Sequence, residues 1–331
     1  MRQRIGQVLV LASLLGVLFA TPAVSEIRLR AATIHGPTQP FTLSLRRWAA
    51  SMERESGGEI KVAVFDSGSV VSNQQDAYSQ VKTGSVDMTL SIVVKDDVPA
   101  LQIASFPYAF RGYADWRKFM NGPDIQKLKD EFRQKTGIRL FDIQYLGSRH
   151  LTANKPIRTP EDLQGVKLRA VEVPIFMETV RAMGALATPI AFPELLSSLK
   201  TGVVDGQENP IPTIFQQKFY EAQKFIMLTG HMIGGDFWMM NERKYQSLTP
   251  AQQQMVDRTV KEAIAWGEEL IVRQERELLS ELQAKGMTVI GREQGLNVQA
   301  FIDRVRANAW PKLRADVGGA VLDAILASEK K

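Results

Sequence analysis

Two stretches decide how this chain folds: Val81-Lys-Thr-Gly-Ser-Val-Asp87 and Leu199-Lys-Thr-Gly-Val-Val-Asp205. Lys82/Lys200, Thr83/Thr201, Gly84/Gly202, Val86/Val204 and Asp87/Asp205 are identical pairs. Each stretch reads as a helix end, a glycine suited to the left-handed C′ position, and the buried start of a strand. Outward from the first copy, residues 73–83 carry helical spacing and residues 85–94 (SVDMTLSIVV) read as a strand. Upstream, residues 27–33 (IRLRAAT) and 59–65 (EIKVAVF) read as strands around a helical pattern at 38–55 that breaks at Gly57-Gly58. Strands alternating with helices imply βαβ units and a parallel sheet with helices on its faces. The second copy repeats the grammar, with residues 165–171 (GVKLRAV) echoing residues 58–64 (GEIKVAV). One turn match alone is ordinary loop chemistry; with the strands it favours two similar α/β lobes in one chain.

A third element lies at 248–286. Thr249-Pro250-Ala251-Gln252 combines a capping threonine, proline at the first helical position and glutamine at the third. No proline interrupts residues 251–285, which allows a helix of roughly 50 Å, a strut shared by both lobes. The alternative is two helices broken at Trp266-Gly267.

Composition narrows the chemistry. The chain has 331 residues, 41 Lys+Arg against 36 Asp+Glu, three histidines and no cysteine. Hydrophobic content of 44% and charged content of 23% exclude a disordered or collagen-like chain. Without cysteine there is no disulfide, thiolate nucleophile, thiolate zinc site or cysteine-linked lipid anchor. The small positive excess is spread along the chain, so no nucleic-acid partner is expected. Arg2 and Arg4 precede an uncharged run at 8–20, too short to span a bilayer, and Ala23-Val24-Ser25 supplies small residues for cleavage. Residues 1–25 are therefore expected to be a signal peptide, leaving an exported, soluble chain from Glu26 with no lipid tether.

Catalytic signatures such as G-x-S-x-G, H-E-x-x-H or a phosphate-binding glycine loop are missing from the sequence. His35, His150 and His231 share no spacing and read as structural hydrogen-bonding residues; no metal site and no cofactor are expected. Asp96-Asp97 reads as a solvated turn. Arg169 lies late in the strand GVKLRAV, on the face shared with Lys167, where it either reaches solvent or faces a cleft that needs its charge. Arg149, in Gly147-Ser-Arg-His150, stands at the junction between the proposed lobes. Gln207-Glu208-Asn209-Pro210 follows the strand after Gly202 on a lobe edge, where proline stiffens the loop that holds the Asn209 amide. Arginines at a crevice without a catalytic group suit a binder of small anions, because the guanidinium fork accepts a carboxylate bidentately. Hinge closure of the lobes is the usual response to ligand. Two alternatives are an exported carboxylate-based enzyme, such as a lyase on acidic sugars, and a periplasmic sensor module.

These residues also carry a family likeness. The chain resembles the DctP-type solute-binding proteins of tripartite ATP-independent periplasmic (TRAP) transporters over essentially its whole mature length. The matching motifs are Phe106-Pro107-Tyr108, Asp162-Leu-Gln-Gly165 running into Lys167-Leu168-Arg169, Leu199 through Pro210 (LKTGVVDGQENP), Lys218-Phe-Tyr-Glu221 and Thr229-Gly-His231. The resemblance implies a two-lobed periplasmic binding protein fold of α/β class, with a ligand cleft between lobes and a long helix spanning both. On that plan lobe I takes residues 26–148 plus about 235–274, and lobe II takes 149–234 plus about 275–331. It implies a periplasmic protein, not an enzyme, that hands a small organic acid, of sugar-acid or C4-dicarboxylate type, to a membrane permease of two integral subunits. It assigns Arg169 to the substrate carboxylate, Arg149 and Asn209 to its support, and Phe192 to the pocket wall. Near Ile34-His35 and Ile92 the chain lacks an Asn and a Glu of sialate-binding members, which disfavours sialic acid. Gly234-Gly235-Asp236-Phe237-Trp238 departs from the keto-acid pattern. There Asp236 is expected to bond ligand hydroxyls or an amine, and Trp238 either to stack on a sugar face or to pack in the core. His35 and Gln74 are expected polar wall residues from the first lobe.

Overall fold

The repeated stretches occupy equivalent places in one nine-stranded sheet. The computed structural model describes residues 26–92, 97–319 and 322–323. The leader at 1–25 and the far end of the strand expected through Val94 lie outside the described residues. In the first half β1 (Ile27–Ala32), β2 (Ile60–Phe65) and β3 (Met88–Ser91) run parallel in the order β2-β1-β3. Then comes β4 (Ile138–Ala153), followed by a second parallel set of β5 (Lys167–Ala170), β6 (Leu186–Pro189) and β7 (Gly206–Pro210), ordered β6-β5-β7. The long β8 (Phe225–Asn241) and short β9 (Thr288–Ile290) complete the sheet.

Local chemistry explains the repeat. The helix Gln74–Thr83 starts on Asn73, whose side chain accepts the Asp76 amide, and stops at Gly84 with φ 86°. Beyond each repeated glycine the aspartate grips the middle strand of its half. The Asp87 amide donates to the Arg30 carbonyl at 2.9 Å and the Asp87 carboxylate accepts the Arg30 amide at 2.7 Å. Asp205 does the same to Lys167, at 2.8 Å for both bonds. Each exchange closes an end of a parallel pair that would otherwise leave backbone groups unpaired.

Three expectations change. GVKLRAV is the middle strand β5 and corresponds to β1, whereas GEIKVAV is the outer strand β2, so their echo joins unlike strands. The sheet is parallel only within each half. β3, β8, β4 and β7 are antiparallel neighbours, and the two long strands carry the sheet from one half to the other. Their register shifts between Tyr145 and Gly147 and again between Arg149 and Leu151. The sequence Gln207-Glu208-Asn209-Pro210 is not a loop; it is β7 itself, buried between β4 and β5.

The strut is one unbroken helix, Pro250–Ala284, with the Thr249/Gln252 capping box in place. Gly267 lies where this helix presses on the first half: a Cβ there would sit 1.9 Å from Ser44 Oγ and 2.4 Å from Gln144 Nε2. Glycine therefore permits close approach rather than breaking the helix. Further along, Leu278, Leu279 and Leu282 pack with Ile211, Ile214 and Phe219 of the second half. Among the described residues no helix is long and apolar enough to cross a membrane.

Candidate functional site

A cleft with about 540 Å³ of space free of protein atoms, part of it open to solvent, lies where the C-terminal ends of β1 and β5 face each other, the usual ligand position in α/β halves. His35, Phe41, Asn73, Gln74 and Ile92 line it from the first half, and Arg169, Glu172, Phe192, Asn209 and Thr213 from the second. Leu146 and Arg149 on β4 form its floor. The His35 and Phe192 rings meet edge-on at 5.7 Å, bringing the halves together across the opening.

β5 settles which way Arg169 points. Its neighbours Leu168 and Ala170 are fully buried, and the Arg169 side chain enters the cavity with 2% of its surface exposed. Nε donates to the Ile190 carbonyl at 2.9 Å, and the guanidinium lies 5.9 Å from the Phe192 ring centre. Nη1 is buried with no hydrogen-bond partner. Burial lowers the Arg169 pKa to about 10, with Glu208 opposing and Arg149 adding to the shift. The group stays charged at neutral pH, yet no carboxylate of the described residues pairs with it.

Arg149 differs. Its Nη2 donates to Glu208 Oε1 at 2.8 Å, to the Glu208 carbonyl at 2.7 Å and to Asn209 Oδ1 at 3.1 Å, while Nε reaches the second carboxylate oxygen. Burial alone would raise the Glu208 carboxyl, but Arg149 and His231 outweigh it and hold the pKa at about 2. His231 Nε2 lies 3.1 Å from Glu208 Oε2. His150 is pushed down to about 3, first by burial and then by His231, and its Nδ1 accepts the Gly230 amide. Asn209 Nδ2 donates to Gln207 Oε1, and Gln207 Nε2 to Thr152 Oγ1 at 3.0 Å, so the amide is fixed from behind.

On the facing wall, His35 Nε2 stands 3.1 Å from Asp236 Oδ2. Gln74 Oε1 accepts the Ile92 amide at 3.1 Å, which orients its side chain at the rim. Thus Arg169, Arg149, Asn209, Phe192, His35 and Gln74 are brought together at the cavity. Asp236 stands behind His35, not on the wall. Trp238 corrects the stacking expectation: it is fully buried, its Nε1 donates to Gln144 Oε1 at 2.8 Å, and it packs in the core. Glu208 was not singled out from sequence. The usable signal was that a buried arginine in a strand needs a buried acid, and Glu208 is the acid in the stretch Gln207-Glu208-Asn209-Pro210.

Known proteins match this architecture. The model of the bacterial extracellular solute-binding protein family 7, DctP, matches residues 31–310. The sialic acid-binding periplasmic protein of Vibrio cholerae is 30% identical over 74% of this chain and 77% of its own. A TRAP periplasmic solute-binding protein of Polaromonas sp. JS666 bound to D-erythronate superposes with a TM-score of 0.85 at 27% identity, covering 91% of this chain and 98% of that one. Another, from Sulfitobacter sp. NAS-14.1 with bound β-D-galacturonate, gives 0.82 at 29% identity, covering 90% and 98%.

Proposed function

The chain belongs to the DctP family of bacterial extracellular solute-binding proteins, and from that premise we propose that it captures a small organic acid in the periplasm by its carboxylate and delivers it to a TRAP membrane permease. The observation that carries this reading is the buried, unpartnered Nη1 of Arg169 at the head of the cavity. A buried guanidinium with free donors is costly unless an anion completes it, and a carboxylate matches its fork. Asn209 and Arg149 support that carboxylate, the first by its remaining amide hydrogen and the second by its field, and Phe192 shields the pair from water. The protein binds its acid without transforming it. Export by a cleaved leader at 1–25 accords with periplasmic relatives.

The lobe boundaries proposed at 148/149, 234/235 and 274/275 are supported by local geometry. Gly147 pairs with Gly234 between the register shifts of β4 and β8, and Glu275 accepts the Ser148 amide at 2.6 Å. All three crossings lie within one neighbourhood, as a hinge requires. The C-terminal helices do not sit wholly in the second lobe: Lys312 reaches Glu178, while Trp310 Nε1 donates to the Pro107 carbonyl at 3.0 Å.

Calorimetry on Arg169→Ala tests the central assignment. Removing one partner of a desolvated ion pair costs about 3–5 kcal/mol, or roughly two to three and a half decades of affinity. Binding within threefold of wild type would refute Arg169 as the anchor. Loss of acid uptake on deletion of this chain alone tests delivery to a permease.

A further inference from the structure

The cavity contains two guanidinium groups but only one unanswered positive charge. Arg149 is neutralised inside the protein by Glu208. Arg169 has no ion pair among the described residues and keeps Nη1 without a partner. Glu172 adds a carboxylate to the cavity lining. The wall facing Arg169 brings no net positive charge. His35 is 6% exposed and fully buried Asp236 stands behind it, joined at 3.1 Å, so the pair is neutral or negative in either protonation state of the ring. When Asp236 accepts the His35 Nε2–H of a neutral ring, Nδ1 becomes a lone-pair acceptor. That Nδ1 is buried and has no partner among the described residues, and neither has Asp236 Oδ1.

A ligand spanning these walls meets one cation at one end and an acceptor at the other. A second carboxylate opposite Arg169 would be desolvated without a counter-charge, beside the His35–Asp236 pair, which is a strongly unfavourable placement. A hydroxyl supplies the missing donor at no cost in charge. Discrimination of this kind is large, because a site that leaves buried polar atoms unpaired rejects an analogue lacking the matching group. We propose that the ligand is a polyhydroxy monocarboxylate, an aldonate or uronate in chemical class, with its carboxylate on Arg169 and a hydroxyl donating to His35 Nδ1. Asp236 is a positioning residue that fixes the His35 ring, and C4-dicarboxylates are the class this site excludes. The proposal rests on the reading of Arg169 as carboxylate anchor.

The test is calorimetry on the mature full chain with D-gluconate, D-galacturonate and D-erythronate against succinate, L-malate and fumarate. At least one hydroxy acid is expected to bind 100-fold or more tightly than any dicarboxylate. Asp236→Asn and, separately, His35→Phe should weaken that acid at least tenfold while changing the affinity for hexanoate, which has no hydroxyl, by less than threefold. His35→Phe keeps the ring contacts with Phe41 and Phe192 and serves if Asp236→Asn does not fold. A uniform loss for all acids in both variants would overturn the hydroxyl role. Succinate binding as tightly as the hydroxy acids, and lost in Arg169→Ala, would overturn the proposal while leaving the carboxylate anchor standing. Acid binding indifferent to Arg169→Ala, or no binding of either class, would overturn both.

Discussion

The two halves of the sheet are built alike and equipped differently. Asp87 grips Arg30 as Asp205 grips Lys167, and the matching registers pair Ala31 with Met88 and Leu168 with Gly206. Counting forward from those pairs, Ala32 in the first half stands where Arg169 stands in the second, and His35 where Glu172 stands. The shared residues are those the backbone needs to end a helix and start a strand. The differing residues are free of that duty: His35, Arg169 and Glu172 line the cavity, while Ala32 packs in the core. At the cavity the first half offers an imidazole held by Asp236, while the second supplies a bare guanidinium beside a closed ion pair.

The sharpest way to test this division is to treat its two arginines identically. Arg149→Met leaves the Glu208 carboxylate buried without its counter-charge and is expected to cost about 3–5 kcal/mol of stability. Adding Glu208→Leu should recover much of that loss, because a buried pair exchanges well for apolar side chains of similar volume. Arg169→Met should behave oppositely in denaturant melts of the ligand-free protein, leaving stability unchanged or raised. Burial has already lowered the Arg169 pKa to about 10, so folding disfavours its charge. An equal loss of stability in both single variants would mean that Arg169 is internally compensated, and the picture of a bare guanidinium beside a closed ion pair would collapse.

Acid provides the next test, since both strongly shifted acid-range groups lie on β4 and β7 in the second half. His150 has a folded pKa of about 3 against an ordinary 6.5, so between those values the unfolded chain takes up a proton that the folded one refuses. Glu208 is held at about 2 against an ordinary 4.5, so its stabilising contribution is present above 4.5 and lost as pH falls towards 2. Both signs agree: stability falls with acidification from about pH 6.5 and more steeply below 4.5. Hydrogen exchange at pH 4 should open β4 and β7 before β1 and β2. His150→Gln should remove the slope between 6.5 and 4.5.

The parts of the molecule legible from sequence carry their own local punctuation. Asn73, Gly84, Thr249 and Pro250 mark helix ends by side-chain and φ preferences that act within a few residues, and each stands where it was read. β8 carries no such mark. Its residues (FIMLTGHMIGGDFWMMN) are almost all buried, so the alternation that identifies a half-exposed strand is missing. β4 was not read as a strand because its pairing partners lie 53 or more residues away. The same distance hid the ion pair of Arg149 with Glu208. Trp238 was open to two readings for a related reason: aromatic area suits a sugar face or a core equally, and only the position of Gln144 across β4–β8 decides.

The smallest expected effect tests the equivalence on which the comparison stands. Asp87→Ala and Asp205→Ala each remove one exposed hydrogen bond to a strand amide, at a cost of about 1 kcal/mol or less. The two losses should agree within about 0.5 kcal/mol and add in the double variant, because the sites share no partner. Ligand affinity should separate them. Asp205 anchors Lys167, two residues before Arg169, so loosening it lets the anchoring guanidinium drift and weakens binding severalfold. Asp87 anchors Arg30, two residues before Ala32, which presents no polar group to the cavity, so its loss should leave affinity unchanged. Equal stability losses with unequal affinity losses would show one scaffold device serving two ends, structural in the first half and functional in the second. Equal affinity losses would break the comparison, because position along the strand would then not decide which half holds the acid.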